Sequence, residues 1–371
     1  MSDHEQRVRY ELADSGVPAV TLSDLCALGL DLDHVMSLPL HYPEVNGSAR
    51  IRELIASLYS VPPGGDLDVL VTVGAAEAAG LVVDALTDPG DRIAIMRPNY
   101  QQLAGIARNL GREVVSFSLD PDAGWSLRPD ELESSARGAK LIAVCNPNNP
   151  TGHVLSADER RTVVSVARDN RAWLLTDEVY VGTEHDGRET LSLVGAYNKT
   201  LAISSLSKAY GLSGLRLGWV AGPPDAIAAC WMRHEYATIA TSALSMLLGE
   251  FALGARARAA LFGRNRDYIV RGQSAIREWV SGHANLGITA PTATPVAFVR
   301  LGAGLSSLEF ARQLVDRARV LVAPGKFFGG FDDHVRVTAA RRLEDLQPAL
   351  GLMSSVLDSM AANGRHRDPH D

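Results

Sequence analysis

From Leu67 onward, short apolar runs that do not alternate in polarity take turns with longer amphipathic stretches, and this repetition limits the possible folds most. DLDVLVTV, RIAIM, REVVSFSL, KLIAVC, AWLLTD and TLAISS read as strands. A strand with one wet face alternates polar and apolar residues, whereas a strand covered on both faces does not. Between the strands lie helical stretches. GAAEAAGLVVDAL ends before the turn Asp88-Pro89-Gly90-Asp91, a second stretch runs from about Tyr100 to Asn109, and the capping box Ser156-Ala157-Asp158-Glu159 introduces RRTVVSVARDN. This order predicts an α/β fold with a mostly parallel sheet covered on both sides. Near Ala243 the pattern turns helical, and strand candidates Val296–Leu301, Val320–Ala323 and Val335–Thr338 come after it. A smaller α+β unit is therefore expected toward the C-terminus, ending in a frayed tail, NGRHRDPHD.

A chain of 371 residues is too long for one simple core and suits two unequal units. Its 46% hydrophobic and 21% charged residues are ordinary for a globular protein. A net charge of −7 with no basic stripe argues against nucleic acid as a partner. Cys26, Cys145 and Cys230 show neither CxxC spacing nor an even count, so neither disulfides nor a metal site are expected, and a reducing compartment is. The first residues carry no apolar signal segment, and no apolar run reaches the ~18 residues a membrane span needs. A soluble, cytoplasmic protein without a membrane partner is the expectation.

Ligands of open α/β sheets sit at the carboxyl ends of the strands. Directly after the strands of this chain stand Gly74-Ala75-Ala76, Pro98-Asn99-Tyr100, the segment Asn146 to Gly152, Asp177-Glu178-Val179-Tyr180, and Ser205-Leu206-Ser207-Lys208. Singly these are weak signals, since a strand-end glycine usually turns the chain and a strand-end aspartate usually caps a helix. Together they bring an anion cradle, a carboxylate, a phenol, an amide and a lysine to one rim. No GxGxxG comes after the first strand and no GxxxxGK[ST] occurs, which argues against nucleotide binding.

NPNNPTG, DEVY and SSLSKAYGLSGLRLGW, in this order and spacing, resemble the pyridoxal-5′-phosphate (PLP) enzymes of aminotransferase classes I and II. The resemblance runs from about Tyr42 to Arg336. It implies the PLP-transferase fold type I: a large domain, 46–245, with a mostly parallel seven-stranded sheet flanked by helices, and a small α+β domain of 1–45 together with 246–371. PLP is the implied cofactor and a homodimer with shared active sites the implied assembly.

The roles the resemblance implies have physical reasons. Lys208, with SxSK before it and Arg216 eight residues on, would hold the cofactor as a Schiff base and later act as general base at the substrate Cα. Asp177 would keep the pyridine nitrogen protonated, so that the ring draws electrons from Cα. Asn149 and Tyr180 would hydrogen-bond the ring's phenolic oxygen. Backbone N–H groups of Gly74, Ala75 and Ala76, with Ser205 and Arg216, would take the phosphate. Many relatives have serine after Gly74, so here that part of the cradle is backbone alone. Tyr100 would stack on the ring, and Tyr42 would reach the neighbouring subunit's phosphate unless it is simply a packed tyrosine. Arg336 would grip the α-carboxylate with a bidentate fork, with Gly16 and Asn149 beside the substrate. Arg341 and Arg342 compete for the role of Arg336 but fall in the next polar segment. Arg7, Arg9, His34, Glu44 and Tyr236–Ser242 are candidates for lining the substrate pocket.

Fold and cofactor leave the reaction open. Transamination and a specialised elimination, replacement or cyclisation at the side chain both begin with loss of the Cα proton. ADSGVPAVTLSDLCALG, YGLSGLRLGW and VLVAPGKFFG resemble the capreomycidine-synthase branch, whose members cyclise hydroxyarginine-type amino acids in antibiotic pathways. That branch departs from NPTG and DEVY, which this chain keeps, so the two readings stay level, with a slight lean to the specialised one. A degenerate PLP fold serving as a binding or regulatory module is disfavoured, because Lys208, Asp177 and Arg336 are all present and no DNA-binding segment is fused.

Overall fold

The computed structural model describes residues 7–302 and 304–364, so most of the expected tail, from residue 365, lies outside the described residues. In chain order the strands are β1 (Tyr10–Glu11), β2 (Asp68–Thr72), β3 (Arg92–Arg97), β4 (Glu113–Asp120), β5 (Ser126–Leu127), β6 (Ala139–Cys145), β7 (Trp173–Asp177), β8 (Thr200–Ser205), β9 (Gly218–Gly222), β10 (Leu286–Ile288), β11 (Val296–Leu301), β12 (Val320–Leu321), β13 (Ala323–Pro324) and β14 (His334–Thr338). All six apolar runs become strands of one sheet, ordered β2-β9-β8-β7-β6-β3-β4-β5. Neighbours from β8 to β4 are parallel, and β9 is antiparallel to both β2 and β8. Seven strands match the expectation. The eighth, β5, is two residues folded back on the end of β4, too short to leave a pattern in the sequence.

The missing alternation in the sequence reflects cover on both faces. Every residue of β8 and β9 is buried. Ile93 and Ile95 of β3 face one side, with Val82 and Ala104 of two covering helices; Ala94 and Met96 face the other, with Val163 and Phe117. Each such aliphatic side chain contributes about 1.5–3 kcal/mol on burial. The helix Gly74–Leu86 starts directly after β2. Ser156 and Glu159 form the expected capping box, side chain to backbone in both directions, ahead of the helix Ala157–Asp169.

A second sheet, β10-β11-β14-β13, is antiparallel throughout. Val335 and Val337 of β14 pack with Ile276, Trp279 and Leu346 of two long helices, while the register places Arg336 beside Phe298 and Ala323. The N-terminal segment is stitched to this part of the molecule. β1 pairs parallel with β12, Leu12 N–H donates to the Leu321 carbonyl at 2.8 Å, and Thr338 N–H donates to the Leu12 carbonyl at 2.9 Å. Farther along, Leu25 and Leu30 pack instead with Ile51 of the helix Ala49–Ala56 and with Val69 and Trp219 of the large sheet. Among the described residues no helix is long and apolar enough to cross a membrane, and no cluster of side chains could hold a metal ion.

Candidate active site

Parallel strands deliver their carboxyl ends to one edge, and there a cavity of about 360 Å³ opens. Its lining brings together Ala75, Ala76, Tyr100, Asn149, Asp177, Tyr180, Ser205, Lys208 and Arg216 from the rim, and Arg336 from β14. Asn99, Ser207, Ser213, Asp14 and Ser15 join them.

One end of the cavity is built to hold an anion. The helix Gly74–Leu86 begins without a side-chain cap, which leaves its first N–H groups without an intrahelical partner. Gly74 does not itself line the cavity, but its φ of +80° and its lack of Cβ let the Arg216 guanidinium lie against it; a Cβ would collide with that group. Gly218 of β9 permits a similar approach, since a Cβ there would run into the backbone of Gly74 and Ala75. Arg216 donates to Ser207 Oγ at 3.2 Å and to the Ser213 carbonyl at 3.1 Å, so the cation is aimed by two contacts. Ser205 Oγ accepts the Ser207 N–H at 3.2 Å.

Asp177 lies at the floor, at the last position of β7. Burial pushes its carboxyl from 3.8 up to about 6, against the opposing pull of the Val179 N–H and the Lys208 charge. The next residue, Glu178, just past β7, does not line this cavity. It accepts from Ser192 Oγ at 2.8 Å and is pushed up to about 7, again by burial. The Tyr180 oxygen accepts from Asn149 Nδ2 at 3.1 Å, and burial raises its phenol well above the ordinary range.

Opposite stands Arg336, buried and lying over the Phe328 ring at 4.9 Å. It donates to Asn149 Oδ1 at 3.0 Å and to the Ala13 carbonyl, while its Nε has no partner among the described residues. Burial lowers its pKa, yet an arginine stays charged. A buried guanidinium that lines a cavity is suited to receive a carboxylate. Arg341 is turned elsewhere, to Glu11 at 3.0 Å and Asp14 at 3.4 Å, and Arg342 to Glu344 at 3.3 Å. Between floor and receptor, Lys208 Nζ donates to Ser15 Oγ at 2.9 Å. Burial lowers the lysine's pKa, with Asp14 pulling it back up.

Several expected residues stand apart from the cavity. Tyr42 is 79% exposed and not among its lining residues. Gly16 only donates its N–H to Asp14 Oδ1 at 3.1 Å; its neighbours Asp14 and Ser15 reach the cavity instead. Arg7, Arg9, His34 and Glu44 are exposed, and residues 236–242 lie outside the lining as well. Asp14 and Ser15 belong to no strand-end motif, because β1–β12 pairing brings them in. Ser207 does belong to one, as the second serine of SxSK.

The family model for aminotransferase class I and II matches residues 36–351. An aspartate aminotransferase of Pyrococcus horikoshii is 27% identical over 329 residues, 86% of this chain and 83% of its own. A capreomycidine synthase of Streptomyces vinaceus is 27% identical over 366 residues, 97% of this chain and 92% of its own. A solved PLP-dependent aminotransferase from Streptococcus suis 89-1591 superposes with a TM-score of 0.89 at 29% identity, covering 96% of each chain.

Proposed function

The chain belongs to the aminotransferase class I and II family, and from that premise we propose that it acts on a pathway-specific α-amino acid by elimination, replacement or cyclisation at the side chain. It is a PLP-dependent enzyme, and the cavity fits that cofactor on its own chemistry. The uncapped helix start, Ser205, Ser207 and Arg216 would hold the phosphate. Asp177, raised by burial, would meet a protonated ring nitrogen. Asn149 and Tyr180 would meet the ring's phenolic oxygen, and Tyr100 stands at the mouth for stacking. When bound, PLP supplies an aldehyde for amines and a ring that draws electrons away from Cα.

The observation that carries the reading is the joint placement of Lys208, Asp177 and Arg336 around one cavity. Arg336 would fix the substrate carboxylate and thereby aim the Cα–H bond. Lys208, its basicity lowered by burial, can take that proton and return it. A binding-only module would have no use for such an amine. The specialised exit is supported by the capreomycidine synthase match, which leaves out too few residues to miss Asp14 and Ser15, both of which line the cavity. The aspartate aminotransferase relative favours the second reading, transfer of the amino group to a 2-oxo acid.

One experiment separates the two: the holoenzyme is given a panel of amino acids without any oxo acid. Side-chain chemistry returns the cofactor unchanged, so many turnovers are expected. Pyridoxamine phosphate accumulating one-to-one with sites, and cleared only by an oxo acid, would establish transamination.

The proposal includes a homodimer with shared sites. Met36, Leu40, Tyr42 and Tyr236 are 79%, 85%, 79% and 92% exposed. A hydrogen bond of 3.1 Å from His234 Nε2 to the Val45 carbonyl brings their two stretches together. It also includes the division into a unit of 46–245 and a unit of 1–45 with 246–371, which β1–β12 pairing supports and the packing of Leu25 and Leu30 blurs.

A further inference from the structure

Ser15 is 8% exposed and sits where no motif of the strand ends would put a hydroxyl. Its Oγ accepts from Lys208 Nζ at 2.9 Å, and Ser15, Lys208 and Tyr180 all line the same cavity. A hydroxyl has one donor and two acceptor positions, so it can take an N–H from the lysine. The Tyr180 oxygen receives Asn149 Nδ2–H at 3.1 Å, and Asn149 Oδ1 receives Arg336 at 3.0 Å. The amine of Lys208 and the guanidinium of Arg336 are thus each held by a hydrogen bond to a residue that lines the cavity.

The backbone under Ser15 is tied down. Its N–H donates to Asp14 Oδ1 at 2.6 Å, the Asp14 carbonyl accepts from Thr338 Oγ1, and the Ala13 carbonyl accepts from Arg336. Arg341 clasps both Glu11 and Asp14 from outside. Such bracing is what a hydroxyl needs to hold a flexible lysine amine at one point.

We propose that Ser15 is a positioning residue for Lys208, holding the amine at one point in the cavity while the lysine is free of the cofactor. The inference rests on Lys208 as the cofactor-bearing lysine. Lys208 itself moves the proton; Ser15 fixes where the amine stands and which protonation state it favours. As an acceptor of an N–H, the serine oxygen favours the charged amine, so its loss shifts the amine toward the neutral form at lower pH.

The test compares wild type, Ser15→Ala and Ser15→Thr, with Lys208→Ala as control. Cofactor capture by the apoprotein is monitored through the PLP absorption across pH, and Cα–H exchange is monitored in D2O with the protein amino acids as probes. In Ser15→Ala the capture midpoint should move to lower pH and exchange should slow about tenfold, the worth of one hydrogen bond to a charged group. Ser15→Thr should restore both, with melting temperatures matched. An unchanged midpoint and unchanged exchange in Ser15→Ala, or losses that threonine fails to restore, overturn the inference while leaving the Lys208 assignment intact. Capture that persists in Lys208→Ala overturns both.

Discussion

The rim of the large sheet and the arm formed by β14 with the N-terminal segment contribute to one cavity in different ways. Each rim residue comes within a few positions of its own strand: Ala75 and Ala76 after β2, Asp177 and Tyr180 at and after β7, Ser205 and Lys208 at and after β8. The arm is assembled from residues far apart in sequence, with Arg336 donating to the Ala13 carbonyl and Thr338 to the Asp14 carbonyl. In the proposed function, rim residues hold the cofactor and arm residues the amino acid.

The largest expected effects set one residue from each region against the other. Asp177→Ala should leave amino-acid binding nearly intact but slow Cα–H exchange by about 10²–10³-fold, because a fixed charge opposite the electron-drawing ring is lost. Arg336→Lys should instead raise KM about 10–100-fold with a smaller change in kcat, since a bidentate fork is replaced by a point charge. Equal losses in kcat and KM for both variants would erase the distinction between the regions. The Asp177 carboxyl adds a thermal readout. Raised from 3.8 to about 6, it keeps its proton in the folded apoprotein where the unfolded chain has released it. Apoprotein stability therefore falls as pH rises through that window, and a positively charged ring nitrogen offsets the cost. The gain in Tm on adding PLP should be greater at about pH 8 than at about pH 5, and Asp177→Asn should narrow the difference.

A smaller effect sharpens the boundary of the arm. If Tyr42 serves the neighbouring subunit, mixing Lys208→Ala with Tyr42→Phe protein should restore activity to roughly a quarter of wild type, since half the dimers then carry one complete site. No recovery after demonstrated subunit exchange would place Tyr42 in its own subunit's structure.

The two regions also differ in how much the amino-acid sequence discloses. SxSK, DEVY and NPTG stand directly after apolar runs, so strand pairing alone carries Lys208, Asp177, Tyr180 and Asn149 to one edge. Arg336 is legible through its place in a strand candidate near the C-terminus. Ser15 and Asp14 are not, because their position depends on Tyr10 pairing with Val320, a contact across most of the chain. Expectation falls on Gly16, one residue away, whose N–H is spent on Asp14. Strand β5 is hidden for a simpler reason: two residues show no periodicity.

The most direct test of the whole assignment is chemical. Purified holoenzyme is reduced with borohydride, digested, and its pyridoxyl-bearing peptide sequenced by mass spectrometry. A single adduct on Lys208 is the expected result, because that amine stands in the cavity between Asp177 and Arg336. An adduct on Lys199 or another lysine, or a protein that retains no cofactor, would contradict it.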